Sequence, residues 1–114
     1  MNPSELRIGN LIIQGNTPTI VEHIKTSIDD YDRINHKRAI DCSPIPLTEE
    51  WLLEFGFKDI NNKSFKLFKH THHDIILRIF DGGAISYCEK NEYVLVKSVH
   101  HLQNLYYALT QKEL

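Results

Sequence analysis

Pro46-Leu47-Thr48-Glu49-Glu50-Trp51-Leu52-Leu53-Glu54-Phe55-Gly56-Phe57 spells out a short helix with both its start and its stop signal. Thr48 is an N-cap residue type, whose hydroxyl accepts backbone N–H bonds from the first turn. Glu49 and Glu50 then fall where the helix dipole favours negative charge. Gly56 stands where a left-handed C′ residue is wanted, and Phe57 is the apolar residue that closes such a cap. Between these signals Trp51, Leu52 and Phe55 are the side chains to bury, while Glu49, Glu50 and Glu54 face solvent. The stretch holds the only tryptophan and divides a turn-rich N-terminal half from a strand-rich C-terminal half. A helix of about two turns suits a bridge between halves better than a recognition helix.

Upstream, the run from Glu5 to Gln14 and the run Thr19-Ile20-Val21-Glu22-His23-Ile24 flank the turn residues Gly15-Asn16-Thr17-Pro18 and read as a hairpin. Asp29-Asp30-Tyr31-Asp32 is a polar loop, and Ile34 to Ile40 reads as another short strand. Cys42-Ser43-Pro44-Ile45-Pro46 is an extended, proline-limited approach to the helix. Several short strands with no helix among them predict a small SH3-like partial barrel.

Downstream the pattern is a meander. Ser64-Phe65-Lys66-Leu67-Phe68-Lys69 alternates, with Phe65 and Leu67 on one face. Ile75-Ile76-Leu77-Arg78-Ile79-Phe80 is apolar enough for a central strand covered on both sides, and Asp81-Gly82-Gly83 is a tight turn. Ile85-Ser86-Tyr87-Cys88-Glu89 and Tyr93-Val94-Leu95-Val96-Lys97, turned at Lys90-Asn91-Glu92, bring the strands to four. Ser98 then caps a final helix. Val99, Leu102, Leu105, Tyr106 and Leu109 form its apolar stripe, with His100, His101, Gln103, Asn104 and Tyr107 on the flanks and far face. The sheet is expected to carry this helix on one face.

Composition narrows the function. With 114 residues, 41% hydrophobic and 25% charged, the chain is an ordinary globular domain. Its formal net charge of −2 leaves no global basic field of the kind that drives sequence-independent nucleic-acid binding. Residues 1–57 carry 5 Lys/Arg against 9 Asp/Glu, and residues 58–114 carry 8 against 6, an asymmetry too small to name a partner. No positively charged, apolar leader opens the chain, so Cys42 and Cys88 are expected as reduced, at least partly buried thiols in a cytoplasm. No apolar run reaches the roughly 20 residues of a membrane-spanning helix.

The seven histidines are the first place to look for chemistry. His70, His72 and His73, followed by Asp74, are donor types that suit zinc, copper or nickel. A closed zinc site needs four donors, and neither CxxC nor HExxH is present, so a solvated, histidine-rich hairpin loop is the better reading. His100 and His101 open a helix, where neighbours diverge by about 100° and cannot pair on one metal. Asp29-Asp30-Tyr31-Asp32 lacks the glycine and distal glutamate of a calcium loop. No serine sits in a Gly-x-Ser-x-Gly elbow, and neither cysteine has a motif marking a depressed thiol pKa. No catalytic residue and no cofactor follow from the sequence.

Binding surfaces have more support. The five tyrosines offer amphipathic contact area of the kind enriched at interfaces. Tyr106 fits the buried stripe, which leaves Tyr107 as the exposed one. Lys63, Lys66, Lys69 and Arg78, interleaved with Phe68 and Phe80, could line a nucleic-acid-contacting sheet face, although alternate lysines also keep ordinary strands soluble. The candidate interaction residues are Tyr107, Tyr93, Lys66 and Arg78.

Three anchors span nearly the whole chain: Leu6-Arg7-Ile8-Gly9-Asn10-Leu11, Pro44 to Phe57, and Val99-His100-His101-Leu102-Gln103-Asn104-Leu105-Tyr106-Tyr107-Ala108-Leu109-Thr110. Together they resemble a family of small proteins from gut anaerobes and from their phages and mobile elements. Members read His-Gln or similar where this chain has His100-His101, and carry glycine where it has Gln111. The resemblance brings no activity and assigns no residue a role. It implies an accessory protein of a phage or mobile element.

The expected fold is α+β, a single domain over residues 1–114. Residues 1–47 form a small SH3-like β half. Residues 48–114 form the short capped helix, a four-stranded antiparallel meander and the C-terminal helix. The expected function is a non-enzymatic, cytoplasmic binding module that engages a protein partner or a second copy of itself, with no membrane association. The alternatives are a protein that sequesters a nucleotide or metabolite in a pocket lined by Tyr and Lys where the halves meet, and a nucleic-acid-associated regulator.

Overall fold

Gly15 and Asn16 make the two-residue turn that folds β1 (Leu11–Gln14) back onto β2 (Thr17–Ile20), with Gly15 at φ 66°. Pro18 lies inside β2, which is the edge strand of the sheet β2-β1-β6, so its missing N–H breaks no ladder. The computed structural model of the chain describes residues 1–26, 32–60, 65–89 and 92–114. Its architecture is α+β, in two compact units: Met1–Pro46 with Ser98–Glu113, and Leu47–Lys97 with Leu114. The turns expected at Asp29-Asp30-Tyr31 and Lys90-Asn91, and the residues Lys63 and Ser64, lie outside the described residues.

In the first unit, β3 (Ile24–Lys25), β4 (Arg33–Ile34) and β5 (Lys37–Arg38) form a second three-stranded antiparallel sheet. The segment read as one strand from Ile34 to Ile40 is therefore a hairpin. Asn35 and His36 turn it with φ of 50° and 66°, the paired positive values that two-residue hairpin turns require. Asn35 holds that conformation through its side chain. Its Oδ1 accepts from the N–H groups of Glu22 (2.6 Å) and His23 (3.1 Å), and its Nδ2 donates to the Ile20 carbonyl (2.8 Å). A short 3-10 turn, Ala39–Asp41, leads into β6 (Cys42–Ser43), which pairs with β1. Leu6, Ile12, Val21, Ile34, Ala39 and Cys42 form the core of this unit.

In the second unit, α1 (Glu49–Glu54) is followed by β7 (Phe57–Asp59), β8 (Lys66–His70), β9 (Ile76–Ile79), β10 (Ile85–Glu89) and β11 (Glu92–Leu95). The five strands form one antiparallel sheet in the order β11-β10-β9-β8-β7. The meander thus has one strand more than expected. Phe57 both follows the helix cap and opens β7, where it pairs with His70. Three residues with Lys58 and Asp59 among them carry too little alternation to announce a strand. Thr48 occupies the N-cap position with extended backbone, but its side chain makes no capping bond. Gly56 does take the left-handed conformation, at φ 89°, and its N–H donates to the Leu53 carbonyl. Leu52 is fully buried, Trp51 and Phe55 are partly so with their rings stacked, and Leu53 is exposed. The helix contacts β7 and belongs to the sheet unit.

The second helix, α2 (Val99–Thr110), groups with the N-terminal strands and not with the meander that precedes it. Ser98 caps it as expected, its hydroxyl accepting from the His101 N–H. The buried face is rotated from the apolar stripe, however. Val99, Leu102 and Tyr106 are buried together with His100 and Gln103, while Leu109 is exposed. The polar flank is inside because it docks on residues 5–11. Gln103 Oε1 accepts from the Leu11 N–H at 2.8 Å, and Asn104 Oδ1 accepts from Arg7 Nε and Asn10 Nδ2, each at 2.9 Å. Asn104 Nδ2 donates to the Glu5 carbonyl at 2.8 Å, and Asn10 itself is fully buried. Buried amides of this kind are stable only when each polar atom is paired.

Replacing Gln103 by Leu should therefore destabilise the chain although it adds apolar volume. The Leu11 N–H loses its acceptor, at a cost of about 1–3 kcal/mol, readable as a lower urea midpoint; an unchanged midpoint would refute this account. Gln111 ends α2 in the left-handed conformation, at φ 62°. Gln111→Gly should raise the thermal midpoint, with a gain of roughly 0.5–1 kcal/mol.

Candidate interaction surface

Cross-strand partners share a face, so the register of the five-stranded sheet sorts its side chains. Phe68 pairs with Leu77, and Leu77 with Tyr87; these side chains and those of Phe57, His70 and Ile85 are buried. On the opposite face Leu67 pairs with Arg78, Arg78 with Ser86, and Cys88 with Tyr93. This face is open: Phe65 is 42% exposed, Tyr93 53% and Leu95 44%, while Leu67, Ile76 and Phe80 are partly exposed. β9 is the central strand, as its composition predicts, but it is covered on one side only.

Arg78 organises the open face. Its guanidinium carbon lies 4.0 Å from the ring centre of Phe65 and 4.3 Å from that of Phe80, with Tyr93 at 5.6 Å. One terminal N–H donates to the Tyr93 hydroxyl at 3.1 Å, and Phe80 meets Tyr93 edge to face. Two ring faces and a hydroxyl thus hold a long cationic side chain in one conformation. Cys88 lies on the same face, where burial pushes its thiol pKa up against the opposing pull of Arg78. A thiol held protonated in this way is a poor nucleophile. Both cysteines are free, Cys42 buried and Cys88 partly so.

The four predicted interaction residues do not converge. Tyr93 and Arg78 are in direct contact on the open face. Lys66 pairs with Ile79 across the strands and so falls on the other face, where its ammonium meets Glu49 at 2.6 Å. Tyr107 belongs to the first unit, and its exposed ring packs against the Arg7 guanidinium at 4.2 Å, which in turn pairs with Glu113. Phe68, read as part of a nucleic-acid-contacting face with Phe80, is buried on the opposite side. Phe65 and Leu95 are the members that sequence reasoning did not single out. Their signal is the adjacent apolar pair Leu67-Phe68, which places hydrophobic side chains on both faces of one strand.

The histidine cluster is not a solvated loop throughout. His70 ends β8 and is buried, with Nε2 at 3.1 Å from the Phe55 carbonyl and Nδ1 accepting from the His72 N–H at 3.2 Å. Both ring nitrogens are engaged by backbone, so His70 joins the end of α1 to the strand instead of offering a lone pair to a metal. His72 is exposed and His73 partly so. Among the described residues no group of three or more His, Cys, Asp or Glu is placed to hold a metal ion. His100 opens α2 as read, but it is buried. Its Nδ1 is 3.3 Å from the Ser98 hydroxyl and its Nε2 3.8 Å from a Glu5 carboxylate oxygen. Two clefts of the first unit, of about 310 and 570 Å³, are lined by neither tyrosine nor lysine.

No protein-family model, curated protein or solved structure matches this chain. No helix among the described residues is long and apolar enough to cross a membrane.

Burial lowers the pKa of both His70 and His100. The Phe55 carbonyl opposes the shift at His70, where His73 and His72 add to it; Glu5 opposes it at His100. Because the folded-state values lie below the ordinary 6.5, the unfolded chain takes up protons first on acidification. The stability these neutral rings support is complete above that value and is lost as pH falls below it. The urea midpoint should therefore drop between about pH 7.5 and about pH 5.5, and His100→Gln should shrink the drop.

Proposed function

We propose that the protein is a non-enzymatic binding module that engages a protein partner through the open face of its five-stranded sheet. The observation that carries this reading is the exposure of Phe65, Tyr93 and Leu95 together on one side of a sheet whose other side buries Phe57, Phe68, Leu77, Ile85 and Tyr87. Contiguous exposed apolar surface of this kind marks interaction sites in soluble proteins. Aromatic and arginine side chains at its centre are the types that dominate binding energy at interfaces. An accessory role in a phage or mobile element, acting in the cytoplasm, is part of the proposal and rests on the resemblance of the three sequence anchors.

A double substitution, Phe65→Glu with Leu95→Glu, tests this directly. Both side chains are exposed, so the variant should retain the circular dichroism and melting behaviour of the parent. Bait carrying it should lose any stoichiometric partner that the parent captures, and if the partner is a second copy, light scattering should show the parent dimer dissociate. Equal capture and equal mass for the two proteins would reject the sheet face as the binding surface.

A further inference from the structure

Resting on that reading, we infer that Arg78 recognises a carboxylate of an acidic, extended polypeptide segment laid along β11, at the edge of the open sheet face. A guanidinium carries five N–H donors. The Arg78 hydrogen bond goes to Tyr93, and no carboxylate among the described residues pairs with it. Phe65 and Phe80 both pack against it, so little conformational freedom is lost when an anion arrives.

Charge on the face points the same way. Its strand positions carry Lys58, Lys69 and Arg78 and no Asp or Glu, because Asp59 pairs with Phe68 and Glu89 with Glu92 on the other side. Lys69 is 3.6 Å from the carboxylate of Asp74, in the loop beyond the strand, which leaves Arg78 as the central uncompensated charge. The apolar side chains around it lower the local dielectric and strengthen a charge-assisted bond.

A polypeptide fits better than a nucleic acid. The ring faces turned toward Arg78 are already occupied by it, which removes them as stacking platforms for bases. Three cations on a chain of net charge −2 make a poor phosphate track. β11 also offers backbone. The Val96 N–H donates to the Ile85 carbonyl at 2.8 Å, and this sets the phase of the ladder. Ile85/Val96, Tyr87/Val94 and Glu89/Glu92 exchange bonds, so the N–H and C=O of Tyr93 and Leu95 point outward from an edge strand. An extended segment can pair there with backbone while its side chains cross toward Tyr93 and Arg78.

The test is selection of a displayed library of random peptides on the full-length protein. Enriched sequences should place Asp or Glu among apolar residues. Changing that acid to its amide should weaken binding about tenfold or more, and Arg78→Gln should do the same. The two changes together should cost little more than either alone, since they remove one interaction. Arg78→Lys, which keeps the charge without the fork, should fall between, and both variants should melt like the parent. Enriched peptides without an acid, bound equally by Arg78→Gln, would overturn the inference and leave the binding face standing. No enrichment would overturn it too, with the Phe65/Leu95 capture comparison deciding the broader reading separately. Salt-sensitive binding of oligothymidylate that is lost in Arg78→Gln, with no acidic peptide selected, would replace polypeptide by nucleic acid.

Discussion

Gln103 sends an uncharged amide into the interior of the first unit, where its oxygen meets the Leu11 N–H and where Asn10, fully buried, lies alongside Asn104. The rest of that unit depends on this contact. Residues 5–11 have few sheet bonds of their own, and their polar backbone would be costly to bury unpaired. Asn10 also accepts from the Arg7 N–H, and its backbone carbonyl accepts from Val21. One buried residue thus shapes the turn at Ile8-Gly9 and receives α2 through its side chain, and ties the turn to the strand region through its backbone carbonyl. A network of this type specifies one arrangement because a helix rotated by one residue would leave several groups unsatisfied. It explains why α2 buries His100 and Gln103 in preference to its most apolar stripe.

The five-stranded sheet follows a different constraint. Its side chains alternate with a period of two, so a strand that is apolar at successive positions must present hydrophobic surface on both faces. β8 and β9 do this through Leu67-Phe68 and Ile76-Leu77. One face buries Phe68, Leu77, Ile85 and Tyr87, while Phe65, Tyr93 and Leu95 are exposed on the other. The cation at its centre is compatible with that exposure, since Arg78 keeps its donors near water while its planar group lies on Phe65 and Phe80. The same arrangement keeps the face from being a uniform greasy patch and gives it a direction of charge.

The histidines show how position overrides residue type. His70 and His72 are two residues apart in a segment that looks polar throughout, yet one is buried and bonded to Phe55 while the other is exposed. The difference is that His70 pairs with Phe57 on β7, a strand too short to be read in advance. Missing that strand makes the whole cluster look like a solvated loop. Likewise Lys66 and Arg78 both look like cations of one sheet surface, but register sends them to opposite faces.

Local signals were legible without coordinates: the span of α1 between Thr48 and Gly56, the Ser98 cap, a hairpin turn within Gly15-Asn16-Thr17-Pro18 (of which Thr17 and Pro18 prove to be strand residues), and the α+β class. Each depends on interactions within a few residues, where propensity and backbone stereochemistry decide the outcome. The hairpin turn at Asn35-His36 escaped because its positive φ values are held by bonds from the Asn35 side chain to Ile20, Glu22 and His23, distant in sequence. Tertiary structure alone decided that α2 joins the N-terminal strands, that β7 completes a fifth strand, and that Phe65, Arg78 and Tyr93 meet on an open face. Those outcomes rest on hydrogen-bond partners and strand register tens of residues apart, where the energy lies in pairing and not in any single residue's preference.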